Sequence, residues 1–395
     1  MGKKIVEKYS SPNRDELISK VYDVINSSDG NYSAFFLDED KSDSEIVDWI
    51  STGDPVTDLC ISNRKNGGIP VGRITEIAGL EGTGKSLLIA HLMAETQKRG
   101  GIAVIIDTEF ATDKDFLAAI GVDLSKLIYI NDSVLENAFE IIENIVETVR
   151  KNNSDRLICI AIDSIMGATD ESEDESDWSK TGYATQKARV LGKAMRKITS
   201  LIAKHRIALV LTNQLRAKLN TMAFADPWTT SGGKAVPFHA SLRLRLQQLN
   251  KLKIKDKVVG IKTRVKVVKS RLGSMYNTCS FDIYFDRGID TVSTWFDVGK
   301  LYKVIIPAKK LEDETQPESK TNKYKDVKGQ YMIEGDPKMT RFQLPSFKES
   351  ILDVPELKQI LYDAIADAVL LKYRDINQNP INRNEIEYGT GQDED

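Results

Sequence analysis

Gly79-Leu80-Glu81-Gly82-Thr83-Gly84-Lys85-Ser86 is the stretch on which the reading of this chain turns. It fits the pattern G-x-x-x-x-G-K-[ST]. A strand-like run, Arg73-Ile74-Thr75-Glu76-Ile77-Ala78, precedes it, and a helix-like run, Leu87 to Met93, follows. Strand, glycine-rich loop and helix in that order make a phosphate-binding P-loop. Glycines keep side chains away, so successive backbone N–H groups converge on phosphate oxygens. Lys85 is placed to reach the β- and γ-phosphates, and the Ser86 hydroxyl to ligate Mg²⁺. Gly79, Glu81, Gly82, Thr83, Gly84 and Leu87 complete the expected binding set for a nucleoside triphosphate.

The remaining composition narrows the class. The chain has 395 residues, long enough for one large domain with smaller lobes. A net charge of −3 does not mark a generic nucleic-acid binder, so local placement of charge matters more than the sum. Cys60, Cys159 and Cys279 are odd in number and far apart, which fits a reducing cytoplasm rather than a disulfide framework. His91, His205 and His239 lack ligand spacing, which argues against zinc. No apolar run approaches membrane-spanning length, so no membrane partner is expected.

Working outward from the P-loop, apolar strands alternate with amphipathic helices from residue 73 to about 213. Ile102–Asp107 and Leu157–Asp163 are continuous apolar runs, as expected of strands covered on both faces. Residues 113–120, 134–150 and 187–204 carry helical spacing, and Leu127–Ile130 and Ile207–Thr212 read as further strands. This is an α/β pattern with a mostly parallel twisted sheet. Strands at 241–247, 258–269 and 280–286 are expected to extend it in antiparallel fashion. Before the core, residues 12–26 read as a short amphipathic helix and Ser33–Leu37 as a strand. After it, 308–330 reads as a polar, Lys-rich loop and 356–371 as a helix, followed by an acidic end. The division is 1–50, an N-terminal segment too small for its own core; 51–300, the ATPase core; and 301–395, a small C-terminal α+β lobe.

Chemistry follows from strand ends. A parallel sheet gathers its ligands at the C-terminal ends of its strands. Asp163 ends a buried strand and suits a second Mg²⁺ ligand beside Ser86. Glu109, just past Ile102–Asp107, is either the base that orients the attacking water or a solvated loop carboxylate. Gln214 ends the next strand, where an amide can bond the γ-phosphate and lose that bond on hydrolysis. Leu215 to Val236 then has loop composition, with Arg216, Lys218 and Lys234 beside Phe224 and Trp228. Cations with aromatics suit single-stranded nucleic acid, and a mobile surface loop is the plainer alternative. A second loop, 168–186, opens with six acids in the eight residues Asp170–Asp177. In 258–271, simple alternation puts Arg264 and Lys266 on one face and Lys269 and Arg271 on the other. These cations either guard an edge strand or complete a triphosphate site on a neighbouring subunit.

Taken in order, these segments resemble the RecA family of homologous-recombination ATPases, in particular its bacterial and phage branch. The resemblance rests on Ser51-Thr52-Gly53, Gly68-Ile69-Pro70-Val71-Gly72-Arg73-Ile74-Thr75-Glu76-Ile77 and the P-loop. It continues through Ile106-Asp107-Thr108-Glu109, Ala161-Ile162-Asp163-Ser164, Asn213-Gln214-Leu215-Arg216, Ser231-Gly232-Gly233 and Arg264–Lys269. It implies a RecA-like core that binds ATP and Mg²⁺, forms helical homo-oligomeric filaments on single-stranded DNA and pairs it with homologous duplex DNA. It implies Glu109 as the water-activating base, Gln214 as γ-phosphate sensor, and Asp113 and Phe116 at the adenine. Arg189, Arg196, Arg216, Gly232 and Gly233 fall at DNA-contacting positions, with the loops 168–186 and 215–236 on the filament axis. Lys269 and Arg271 would reach the adjacent protomer's ATP, the N-terminal segment would dock on a neighbour, and single-strand-binding and loader proteins are expected partners. The chain departs from the bacterial pattern at Ser86 for Thr, Arg271 for Lys, Trp228 at an often acidic position, and Ala184 and Ala217 for larger apolar wedges. Two rivals share parts of this set: a ring-forming RecA-like helicase motor, and a non-catalytic recombination accessory protein. Retention of Lys85, Glu109, Asp163 and Gln214 disfavours the second.

Overall fold

Both faces of the central strands are apolar, and that fixes the architecture. The computed structural model describes residues 16–27, 46–152, 155–169, 183–218, 226–273, 277–311 and 324–370. Contacts divide the chain into two units, Met1–Val47 and Asp48–Asp395. In the first, helix α1 (Glu16–Ser27) is amphipathic, and Leu17, Ile18, Val21, Val24 and Ile25 of its apolar side are exposed. The expected strand at Ser33–Leu37 lies outside the described residues.

In the second unit the strands are β1 (Trp49–Ile50), β2 (Ile69–Pro70), β3 (Arg73–Gly79), β4 (Ile102–Asp107), β5 (Leu127–Asn131), β6 (Ile158–Asp163) and β7 (Ile207–Ala217). They continue with β8 (Trp228–Thr230), β9 (Leu242–Ile254), β10 (Lys257–Ser270), β11 (Thr278–Tyr284), β12 (Gly288–Asp290), β13 (Ile305–Leu311) and β14 (Tyr324–Ile333). The helices are α2 (Pro55–Ser62), α3 (Lys85–Lys98), α4 (Lys114–Ile120), α5 (Leu135–Asn152), α6 (Tyr183–His205), α7 (Ala235–His239), α8 (Thr291–Leu301) and α9 (Pro355–Val369). The main sheet runs β12-β11-β10-β9-β3-β7-β6-β4-β5, with β8 paired to the outer end of β7. From β5 to β3 every pairing is parallel. The crossover helices cover both faces, as parallel connections require. Ile77, Ala103, Ile105, Cys159 and Val210 pack on one face with α3 and the C-terminal elements. Ile74, Val104, Ile160, Leu209 and Leu211 pack on the other with α5 and α6.

Four expectations change. The first late strand, β9, joins β3 in parallel, and the antiparallel extension begins only with β10. Leu215–Val236 is not loop throughout: β7 continues to Ala217, β8 returns antiparallel to it, and α7 begins at Ala235. Lys218 N donating to Pro227 O at 2.7 Å closes the base of that hairpin. Residues 308–330 include the paired strands β13 and β14, which register Ile305 against Ile333; their lysines mask the strand pattern. Finally, Val267 lies opposite Leu244 while Lys269 lies opposite Arg243, so Val268 is an extra residue in the ladder. This bulge reverses the alternation and turns Lys269 to the face shared by Lys266, Arg243 and Arg245. Among the described residues no helix is long and apolar enough to cross a membrane.

Candidate functional site

The P-loop side chains and the carboxylates meet because β3, β4, β6 and β7 end in register. Gly79 pairs with Gln214, and Asp107 with Asp163. Gly82 and Gly84 adopt φ of 69° and 96°, the left-handed region that glycine enters without strain. A Cβ on Gly79 would strike Thr83 Oγ1 at 2.4 Å, and one on Gly84 would strike Ile283 Cδ1 at 2.5 Å. Strand β11 therefore lies directly over the loop, and Thr263 Oγ1 of β10 donates to Thr83 O at 3.2 Å. Lys85, Ser86 and Leu87 form the first turn of α3, before its own ladder begins with Leu88 N to Gly84 O at 3.0 Å. Such a helix start, with amides aimed outward, suits an anion. Leu87's side chain is buried, leaving its backbone to serve the site. Glu81 is exposed on the loop and adds negative potential at Lys85.

Lys85 Nζ donates to Leu80 O at 2.9 Å and Gly79 O at 3.2 Å. Burial pulls its pKa below the ordinary lysine value, while Asp163, Glu109 and Glu81 pull it back up. Asp163 shows the opposite balance. Burial raises its pKa, hydrogen bonds from Thr212 and Ser86 lower it, and Glu109 and Asp107 raise it further. Its bond from Thr212 Oγ1 is 2.5 Å. A carboxylate bonded to the Ser86 hydroxyl, short of positive charge, fits a hard divalent cation such as Mg²⁺, which takes one or two protein oxygens and phosphate. No larger cage is needed, and among the described residues no group of three or more His, Cys, Asp or Glu is arranged to hold a metal ion.

Glu109 projects from the loop after β4, where Ser164 Oγ donates to its Oε1 at 2.5 Å. Two positioning residues here escaped the sequence reading. Ser164 is one. Asp107 is the other: it accepts from the amides of Glu109, Phe110, Ala111 and Thr112, and from Thr112 Oγ1 and Tyr129 OH at 2.6 Å. Burial alone would raise the Asp107 pKa, but these bonds hold it below the usual carboxylate value. The sequence gives little sign of this turn, because Thr108-Glu109-Phe110-Ala111 after Asp107 is not turn composition and the bonds run to backbone amides.

Asp113 caps α4, accepting from Asp115 N at 2.7 Å, and Phe116 is half-buried against the core. Their side chains are one turn apart.

The remaining candidates form a second cluster. Arg189 and Arg196 are exposed on α6. Arg216 is exposed on β7, 3.6 Å from Met166 Sδ. Lys218 Nζ donates to Asp226 O at 2.8 Å, Trp228 N donates to Asp226 Oδ1, and Asp226 forms a 2.5 Å ion pair with Arg245. Phe224 lies outside the described residues. Gly232 and Gly233 have φ of 84° and 70° and pass over α6, where a Cβ on Gly232 would meet Leu191 Cδ1 at 2.6 Å. Lys234 caps α7. Lys269 Nζ donates to Pro237 O at 2.7 Å and Phe238 O at 2.9 Å, and Arg271 Nη2 to Phe238 O at 3.1 Å. Burial, with Arg271 and Arg243 nearby, pulls the Lys269 pKa down to about 8.

Comparison with known proteins identifies the family. The family model described as the RecA N-terminal domain matches residues 16–290. A protein named Protein RecA from Synechococcus sp. is 35% identical over 297 residues, 75% of each chain. Its namesake from Campylobacter hominis is 36% identical over 255 residues, covering 65% of this chain and 70% of that one. A third, from Chlorobium chlorochromatii, is 35% identical over 269 residues, 68% and 73% of the two. With a P-loop, aligned carboxylates and a glycine-ended hairpin on one edge of a parallel sheet, the chain belongs to the RecA family of ATP-dependent recombinases.

Proposed function

We propose that ATP lies at the seam between stacked protomers, where its γ-phosphate sets the grip of the Leu215–Val236 segment on single-stranded DNA. The protein is a DNA-dependent ATPase of homologous recombination and repair that binds single-stranded DNA and assembles into filaments. Lys85 and the P-loop amides hold the triphosphate. Ser86 and Asp163 would hold Mg²⁺, which neutralises charge on the β- and γ-oxygens when bound. Glu109, aimed by Ser164 and Asp107, orients the attacking water and takes its proton. Gln214 bonds the γ-phosphate and senses its loss. Asp113 and Phe116 face the adenine. Lys269 and Arg271 leave the α7 carbonyls for the partner protomer's phosphates. Arg189, Arg196, Arg216, Lys218, Phe224, Trp228, Gly232, Gly233 and Lys234 face DNA. Residues 1–50 dock on a neighbour, 51–300 carry catalysis, and 301–395 form the small C-terminal lobe, whose described elements share the core of the sheet. Homologous duplex DNA, single-strand-binding proteins and loaders are the partners, and the cytoplasm is the compartment.

One observation carries the reading: Asp163 ends β6, Gln214 lies on the adjacent β7 opposite Gly79 where the P-loop begins, Lys85 opens α3 after that loop, and Glu109 follows the end of β4. The test is DNA-stimulated ATP turnover with electron microscopy. Helical filaments in the presence of an ATP analogue and DNA, with Glu109→Gln binding both but stalling, support it. Closed hexamers, or rapid turnover by Lys85→Ala, overturn it.

A further inference from the structure

We infer that Glu76 is a positioning residue that ties the nucleotide-sensing strand end, the DNA-facing hairpin and the cations aimed at the neighbour into one unit. The inference rests on the roles given above to Gln214 and Lys269. Glu76 lies on β3 three residues before the P-loop and is fully buried. One carboxylate oxygen accepts from Asn213 Nδ2 at 3.0 Å, and the other is ion-paired to Arg243. Asn213 adjoins Gln214 in sequence, and its Nδ2 also reaches Ser231 O at 3.0 Å, the last residue before the two hairpin glycines. Asn213 is itself fully buried, and its Oδ1 has no hydrogen-bond partner among the described residues.

Arg243 stands opposite Lys269 in the β9–β10 ladder. Lys269 and Arg271 hold the carbonyls of α7, and α7 follows the hairpin directly. The end of the DNA-facing segment is therefore fastened twice: at Ser231 from the sensing strand, and at α7 from the cation strand. Glu76 bonds the first fastening through Asn213 and flanks the second through Arg243, the cross-strand neighbour of Lys269. A buried carboxylate shared by an amide and a guanidinium fixes their separation, because either partner that leaves abandons an unpaired buried group. Withdrawal of Gln214 on one side or of Lys269 on the other thus acts on one connected set of buried bonds, through which two ligands can influence each other reciprocally.

The experiment measures the dissociation constant of a fluorescent single-stranded oligonucleotide with and without a non-hydrolysable ATP analogue. Their ratio is the coupling factor. Glu76→Gln and Asn213→Ala are each expected to cut that factor at least tenfold, with the double variant no worse than the poorer single. The affinity for a fluorescent ATP analogue without DNA is expected to stay within threefold. A coupling factor within twofold of the parent for Glu76→Gln, or additive losses in the double variant, overturns the inference. If Glu76→Gln does not fold, Asn213→Ala, which keeps the buried ion pair, is judged by the same threshold. Gln214→Ala and Lys269→Ala separate the two levels. If both retain full coupling, the underlying roles fail and the inference with them; if they lose it while Asn213→Ala and Glu76→Gln keep it, the inference alone fails.

Discussion

Single residues set the chemistry through burial and partners rather than identity alone. Among the described residues Ser164 Oγ donates to Oε1 of Glu109, and water is the expected partner of Oε2. Glu109→Gln is expected to lower the DNA-stimulated turnover about 10²–10⁴-fold, the usual range for losing a general base, with ATP affinity retained. A filter-binding assay beside the turnover assay separates the two effects. Ser164→Ala removes only the alignment and is expected to fall between that variant and the parent. Lys269 gives a pH signature. Its pKa of about 8 in the free protein means that the cation is lost as pH rises through that value. Activity that needs the charge should fall above pH 8. A partner's phosphate favours the protonated form, so saturating ATP moves the fall to higher pH. Lys269→Arg, always charged, should flatten the profile. Motif spacing and strand ends single out the P-loop residues, Glu109, Asp163 and Gln214 as candidates, and the fold brings them together. Asp107 was not legible in the sequence, because its bonds run mostly to backbone amides of its own loop, which no residue type announces; Ser164 and Glu76 were not, because their partners Glu109, Asn213 and Arg243 come from other strands that sequence spacing does not pair.

At the scale of elements, the continuous apolar strands gave themselves away by lacking alternation, and the parallel core follows from that pattern. What stayed hidden was the bulge at Val268. One extra residue turns Lys269 to the opposite face, and nothing in the run Arg264–Lys269 announces it. The β7–β8 hairpin was hidden for a similar reason, since its strand ends are polar and short. Its base is held by the Asp226–Arg245 pair, whose side chains are 48% and 20% exposed. Such a pair contributes roughly 1 kcal/mol or less. Arg245→Ala should thus shift the free energy of unfolding by about 1 kcal/mol or less, measured by denaturant unfolding. Gly232→Ala is a harsher change, because a φ of 84° and a 2.6 Å approach to Leu191 both oppose a Cβ. Its expected result is weakened oligonucleotide binding with ATP affinity intact, measured by fluorescence anisotropy.

For the whole molecule, the P-loop, Glu109, Asp163 and Gln214 lie at one place, and the cations Lys269 and Arg271 at another. Lys269 and Arg271 rest on α7 carbonyls rather than on the P-loop of their own chain. A triphosphate completed by a neighbour makes catalysis a property of the assembly, as heterologous stacking allows. The most direct measurement is complementation between two inactive variants, Glu109→Gln and the double variant Lys269→Ala/Arg271→Ala, each assayed alone and then mixed on single-stranded DNA. If the cations act across the seam, random mixing restores an intact site at about a quarter of the interfaces, and turnover reappears in the mixture. A mixture no more active than the sum of its two components would contradict the account.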